Sequence, residues 1–293
     1  MRRRYELSNR QWERLEHSLP HPIHHGGKGH PWKPHRDRIN GILWILHTGA
    51  PWRDLPERYG PWQTVYDRFN RWRRDGTWAK ILTHLLDHLE RHSRLGRRLW
   101  FIDATIIRAT RAAGGAEKHP EPWPLLGGPK AAQLREPEDH ALGYSRGGFG
   151  TKIHLLGEEH GIPVGVYVTA GQRHESTAFK PTMRRGLLPH RRGRRFWPEK
   201  LGADKGYSYP HIRRWLKRHH IAAVIPTRKD QPRDESFDKA TYRERNIIER
   251  MVGWFKECRR IGTRYEKLAV NYVAFWLVAM IEKVLHFGLS DST

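Results

Sequence analysis

Residues 99–109, LWFIDATIIRA, decide the fold. A run of Leu, Trp, Phe and Ile with no polar alternation reads as a strand buried on both faces, as in a sheet covered by helices. Asp103 is out of place in it, because an ionised carboxylate there is costly unless a metal or a cation compensates its lost hydration. Downstream, TKIHLLGEEHGIPVGVYVTAG (151–171) predicts two strands joined by a tight turn at 158–161. LGADKGYSY predicts a short strand ending at Asp204, and IAAVIPT (221–227) another. HESTAFKPTMRRGLL and YPHIRRWLKRHH lie between them with helical spacing, and long helices follow from about Tyr242. The order strand, strand, strand, helix, strand, helix, strand, helix gives an α/β fold with a mixed sheet flanked by helices.

The N-terminal part has a different texture. Residues 8–19 read as a short helix capped by Ser8, with Trp12, Leu15 and Leu19 on one side. From Asp37, the residues Ile39, Ile42, Leu43 and Leu46 follow helical spacing as far as Gly49-Ala50-Pro51. A turn-rich piece then leads to a helix from about Gln63 to Arg74, with Val65, Phe69 and Trp72 as its apolar stripe and Arg68, Arg71, Arg73 and Arg74 elsewhere around it. A further helix runs from Ala79 to His92. Two helices and a turn with a basic second helix suit a helix-turn-helix reader of DNA, with Arg68, Arg71 and Arg74 as contacts; a solvated basic helix in a bundle is the plainer alternative. The expected division is an all-helical domain over 1–94 and an α/β domain over 95–293. The His, Gly and Pro of residues 21–35 fix no ligand geometry, so that stretch reads as a connector and not as a His metal site. Residues 111–145, rich in Ala, Gly, Pro and charge, read as a long, mobile loop.

Fifty-four Lys and Arg against 31 Asp and Glu give a formal charge of +23, which repels itself unless a polyanion neutralises it. Nucleic acid is the expected partner, since each neutralised phosphate releases a counterion. A membrane surface is the rival, but the basic residues are spread along the chain and not gathered beside one apolar helix. The single cysteine, Cys258, excludes an intramolecular disulfide and a cysteine-based zinc site. The basic N-terminus has no apolar stretch behind it and is not read as a secretory signal. The apolar run Val273 to Ile281 is about half of a membrane span, so it reads as a core helix. The expected location is the compartment that holds DNA: the cytoplasm, at the nucleoid.

TYRERNIIERMVGWFKECRR (241–260) carries the most specific signal. On a helix, Tyr242, Arg245, Glu249 and Lys256 fall within about 60° of one another, and Arg260 extends that stripe. Ile247, Ile248, Met251, Phe255 and Cys258 form the opposite, apolar face. Ordinary (i, i+4) charge pairs would also place Glu among Arg and Lys, but would not require Tyr242 and Lys256 to join them. Taken singly, Asp103 and Asp204 are better read as a cap or a salt-bridge partner. Together with Glu249 they make an all-oxygen ligand set, which suits Mg²⁺ or Mn²⁺ and not Zn²⁺. Two such ions about 4 Å apart clamp the attacking and leaving oxygens of a displacement at phosphorus. Lys205 and Tyr207, beside Asp204, are candidate phosphate or base contacts, with exposed turn residues as the equal alternative. His174 and Glu175 form either a polar pair near the site or a helix N-cap.

The spacing Tyr-x2-Arg-x3-Glu-x6-Lys resembles the signature of the DDE transposases of bacterial insertion sequences. WFIDAT, LGADKGYSY and this helix resemble the three acidic blocks of that group in their order. INGILWILHTGAPWRDLPERYGPWQTVYDRFNRWRRDGTW (39–78) and SRGGFGTKIHL (145–155) are similar to the insertion-sequence-five family in particular. The resemblance covers about Leu7 to Leu285. It implies an RNase H-like catalytic domain with Asp103 on the first strand, Asp204 on the fourth and Glu249 on a later helix. It also implies Mg²⁺ dependence, recognition of terminal inverted repeats and of target DNA, and multimeric assembly on paired ends. In that setting Tyr242, Arg245, Lys256 and Arg260 would hold DNA. The readings set against it are a nuclease that cuts without joining and a DNA-binding repressor with a silent core.

Overall fold

The computed structural model describes residues 4–20, 34–114, 140–186, 197–232 and 234–287, with the backbone alone of 190–191 and 194–195. Most of the expected connector at 21–35 and the middle of the expected loop at 111–145 lie outside those residues.

Four helices open the fold: α1 (Asn9–Glu16), α2 (His35–Thr48), α3 (Trp62–Arg74) and α4 (Thr77–Arg91). Ser8 starts α1 with a reciprocal capping box to Gln11. Gly49, at φ 69°, ends α2 in the left-handed conformation that favours glycine. Two 3-10 turns, Trp52–Asp54 and Glu57–Tyr59, fill the connection to α3, so α2 and α3 are not joined by the short turn of a helix-turn-helix.

The sheet contains β1 (Leu99–Arg108), β2 (Gly143–Ser145), β3 (Gly148–Glu158), β4 (Pro163–Ala170), β7 (Lys200–Ala203) and β8 (Ala222–Val224). A separate two-stranded pair, β5 (His190–Arg191) and β6 (Arg194–Arg195), lies between β4 and β7 in the chain. β3 is antiparallel to β1 on one edge and to β2 and β4 on the other. β7 pairs parallel with β1, and β8 parallel with β7. The five main strands therefore run in the order β4-β3-β1-β7-β8, the mixed sheet of an RNase H-like domain, with β1 central and β7 fourth in the chain order of those five. Leu99, Trp100, Phe101 and Ile102 are fully buried, as their unbroken apolar run requires. The expected loop at 111–145 is partly structured: it begins in a 3-10 turn, Arg111–Ala113, and ends in β2.

The helices flanking the sheet are α5 (Glu175–Arg185), α6 (Pro210–Arg218), α7 (Lys239–Arg243), α8 (Asn246–Glu257), α9 (Arg259–Gly262) and α10 (Ala269–Phe287). Gly157 of β3 lets α8 come close, since a Cβ there would meet Met251 Cε at 2.4 Å. The segment read as one helix over 241–260 is three. Residues 244–245 form a tighter turn with i to i+3 hydrogen bonds, while Arg98 holds Glu244. Cys258 is extended (ψ 99°), which breaks the helix before Arg260. Arg260 therefore leaves the stripe. Its guanidinium is paired with Glu266 at 2.6 Å and lies over Phe275.

One buried apolar cluster runs from Leu15 of α1 through Trp72 and Phe101 to Trp276 of α10. Phe69 stacks on Phe275 at 4.5 Å, and His47 bonds Glu282 at 2.9 Å, so the N-terminal helices share their core with α10. By length and composition α10 could cross a membrane, but 61% of its apolar window is buried inside the fold.

Candidate active site

β1 and β7 bring the two aspartates together. Ile102 pairs with Ala203 in the parallel register, and each aspartate is the next residue on its strand. Asp103 and Asp204 thus lie side by side, about one interstrand spacing (~4.8 Å) apart. Asp204 sits just beyond β7 and caps a 3-10 turn, Lys205–Tyr207, accepting from Gly206 N at 2.9 Å. The cap reading and the cleft reading of Asp204 are therefore compatible.

Asp103 is 16% exposed in its side chain. Burial pushes its carboxyl above the usual range, the Arg245 guanidinium opposes that shift, and the charge of Asp204 adds to it. Arg245 donates through Nη2 to Asp103 Oδ1 at 3.0 Å and through Nη1 to Glu249 Oε1 at 2.7 Å. One guanidinium fork thus ties the strand acid to the helix acid. Glu249, in the first turn of α8, is otherwise open to solvent, with a side chain 55% exposed. Tyr242 is half-buried against Phe237, and Lys256 is exposed further along α8.

Sequence reasoning passed lightly over Glu175. Its neighbour His174 caps α5, accepting from Ser176 N at 3.2 Å, so the cap reading of that residue holds. Glu175 itself faces the aspartates. Burial raises its carboxyl, the charge of Asp204 raises it further, and Lys152 at 3.6 Å opposes. The usable signal in the sequence is an acid in the first turn of the helix that follows β4.

Besides Arg260, the structure corrects two proposed DNA contacts. Tyr207 is fully buried, not an exposed turn residue, with its ring near Phe179. Arg68 is only 8% exposed, bonded to His35 and lying over Trp72. Its place on the helix, three residues from Val65 and four from Trp72, puts it at the margin of the apolar stripe, where a long side chain packs inward. Arg71 and Arg74 are exposed at the end of α3, and Lys205 is exposed beside Asp204.

Asp103, Asp204 and Glu249 offer only hard oxygens, and burial, with a smaller contribution from the charge of Asp204, raises the carboxyls of Asp103 and Glu175, so the residues present fit a divalent cation. The described residues also contain a tighter His/Cys/Glu group, with ligand atoms within 4.8 Å of one another, at His47, Cys258 and Glu282. Those atoms already partner one another: His47 bonds Glu282 at 2.9 Å and faces Cys258 Sγ at 3.7 Å.

Residues 94–281 match the family described as "Transposase DDE domain", and residues 7–82 match "Putative transposase of IS4/5 family (DUF4096)". An uncharacterised protein, y4sN, of Sinorhizobium fredii is 36% identical over 38% of this chain and 83% of its own. The "Putative transposase for insertion sequence element IS402" of Burkholderia cepacia is 28% identical over 43% of this chain and 58% of its own. Among solved structures, the "Mos1 transposase paired-end complex with left transposon end" covers 89% of this chain and 81% of that one. Its identity is 13% and its TM-score 0.25, too low to carry an argument. The family match spans more than half of the chain, and this protein belongs to the DDE transposases, with an N-terminal segment of the IS4/5 type.

Proposed function

We propose that the protein binds the terminal inverted repeats of its element, cuts there and joins the freed end to target DNA. The observation that carries this reading is Asp103 on β1 beside Asp204, the first residue beyond the adjacent parallel strand β7, with Asp103 linked to Glu249 through Arg245. Asp103, Asp204 and Glu249 are assigned as catalytic residues that would hold two Mg²⁺ or Mn²⁺ ions. When bound, such ions lower the pKa of water and neutralise the attacking and leaving oxygens of an in-line displacement. Water attacks the scissile phosphorus and the 3′-oxygen leaves; the resulting 3′-hydroxyl then attacks a target phosphorus, and the target's own 3′-oxygen leaves.

The chain's residues have separate tasks in this scheme. Without DNA, Arg245 offsets part of the charge of Asp103 and Glu249 and keeps the helix acid tethered to the strand acid. A backbone phosphate competes for the same planar fork, which matches phosphate as well as carboxylate. Tyr242, Lys256 and Lys205 would bind flanking backbone and bases, and Arg71 and Arg74 would hold the end sequence through the helical region. The two family matches, ending at 82 and beginning at 94, support a division near residue 94 into an end-binding part and a catalytic part. Assembly as a homo-oligomer on paired ends, in the cytoplasm where the DNA lies, completes the reading.

The test is cleavage in vitro of an intact end, and strand transfer of a pre-cut end, both from the DNA flanking the gene. Wild type cuts the one and joins the other to target in Mg²⁺; D103N binds the end but neither cuts nor joins. Joining by D103N at the wild-type rate overturns the assignment. A repressor would show no activity in either protein, and a nuclease would cut without joining.

A further inference from the structure

The acidic centre does not end with the three carboxylates of the motif. Glu175 Oε2 lies 2.5 Å, and Asp204 Oδ1 2.9 Å, from the point that a Cβ on Gly206 would occupy. The absence of that Cβ is what lets the two carboxylates converge over the 3-10 turn. Among the described residues Lys152 is the cation paired with Glu175, at 3.6 Å, and its ammonium is shared with the carbonyl of Arg173 at 2.8 Å. Arg245, the cation of the other side, is spent on Asp103 and Glu249. On the Glu175–Asp204 side the ion pair among the described residues is a single ammonium, Lys152, against Glu175.

A second observation points to a ligand there. The Tyr207 side chain is fully buried, yet its hydroxyl has no hydrogen-bond partner among the described residues. Its ring packs in the apolar core beside Phe179, while burial and the charges of Glu175, Asp103 and Asp204 raise the pKa of the hydroxyl, so the acids lie within electrostatic reach of it. A buried hydroxyl without a partner needs one that the protein does not supply, such as an ordered or cation-bound water. It is fixed by the same turn that carries Asp204 and Gly206.

We propose that Glu175 is a fourth carboxylate of the metal centre, sharing with Asp204 the cation on the side away from Glu249, and that Tyr207 is its positioning residue, holding a water of that cation. The inference rests on the reading of Asp103 and Asp204 as metal ligands. Glu175 starts α5 and is covalently tied to β4, so this cation would link the sheet edge to the β7 turn. Lys152 acts as a stand-in counter-charge while the cation is absent.

The test uses the full chain, Mn²⁺ as probe, bound Mn²⁺ counted by electron paramagnetic resonance, and melting curves with and without the ion. Loss of a ligand or of its supporting partner weakens metal affinity by about tenfold or more. E175Q is expected to bind Mn²⁺ at least about tenfold more weakly, and to melt, metal-free, at or above the wild-type temperature because one repelling charge is gone. K152M is expected to bind Mn²⁺ more tightly than wild type, a sign that a merely structural Glu175 would not produce. Y207F is expected to keep its metal-free melting temperature and lose a few-fold in Mn²⁺ affinity. D103N is the reference. If D103N loses Mn²⁺ while E175Q and K152M bind as wild type does, the fourth ligand is overturned and the motif reading stands. If D103N also binds as wild type, the underlying reading falls. If E175Q melts lower than wild type, K152M alone decides, and unchanged binding there overturns the proposal.

Discussion

Replacing Arg264 with methionine should destabilise the protein more than almost any other change to a basic residue. Arg264 is fully buried and lies over the ring of Tyr272. Nε donates to Glu266 O at 3.0 Å, Nη1 to Ala141 O at 2.9 Å and to Thr151 Oγ1, and Nη2 to Lys267 O at 3.0 Å and to His140 O. Its backbone pairs with Arg108 and Thr110, so it joins the end of β1 to β3 and to the chain entering α10. Some buried ion pairs can be replaced by apolar residues without loss, but here the partners are mostly backbone carbonyls, which no substitution can remove. Each carbonyl left dry and unpaired costs about 1–3 kcal/mol, and water entering the gap limits the total to roughly 3–5 kcal/mol. At about 2–4 °C per kcal/mol for a chain approaching this size, that is a fall of roughly 6 to 20 °C in Tm. R264K should recover only part of it, because an ammonium cannot make the fork. The assay is urea unfolding followed by circular dichroism, with exposed Arg243 changed to methionine as control. An R264M midpoint equal to that of the control would refute the reasoning.

Three further outcomes are open to measurement. His35 accepts a hydrogen bond from Arg68, and burial, reinforced by the Arg68 charge, lowers its pKa below the ordinary 6.5. The unfolded chain then binds the extra proton first, so stability should fall as pH drops below about 6.5; H35Q should flatten the slope between pH 7 and 5, and an unchanged slope would count against it. R71A and R74A should each weaken end binding and reduce the slope of log K against log salt by about one, because each removes a phosphate contact. R68A should instead lower the melting temperature and leave that slope alone, and a reversed pattern in a filter-binding titration would mean that α3 presents another face. G206A should push Glu175 and Asp204 apart and lower Mn²⁺ affinity while leaving the circular dichroism spectrum intact; unchanged Mn²⁺ binding would show that the carboxylates swing aside freely.

The sequence by itself determined the succession of the main strands and helices and which of them carry the acids. An apolar run such as Leu99–Ile102 has only one way to lose water on both faces, and a carboxylate at the end of such a strand is conspicuous in one dimension. The Arg245–Glu249 pair was legible for the same reason, since four residues on a helix fix the approach of two side chains whatever surrounds them. Tertiary structure decided the direction of side chains whose sequence neighbours are uninformative. Arg68, Arg71 and Arg74 look alike along α3, yet Arg68 turns under Trp72 because α2 supplies His35 beside it. Arg264 is one of 54 basic residues until Ala141 and Thr151, more than a hundred residues away, present oxygens to it. Tyr207 reads as a phosphate or base contact or an exposed turn residue, but the turn capped by Asp204 swings its ring inward. Glu175 has a meaning only through its distance from Asp204, which depends on a missing Cβ at Gly206. Local periodicity reports what a residue does along its own element. Burial of charge depends on which oxygens other elements bring to it, and that is settled only when the chain has folded.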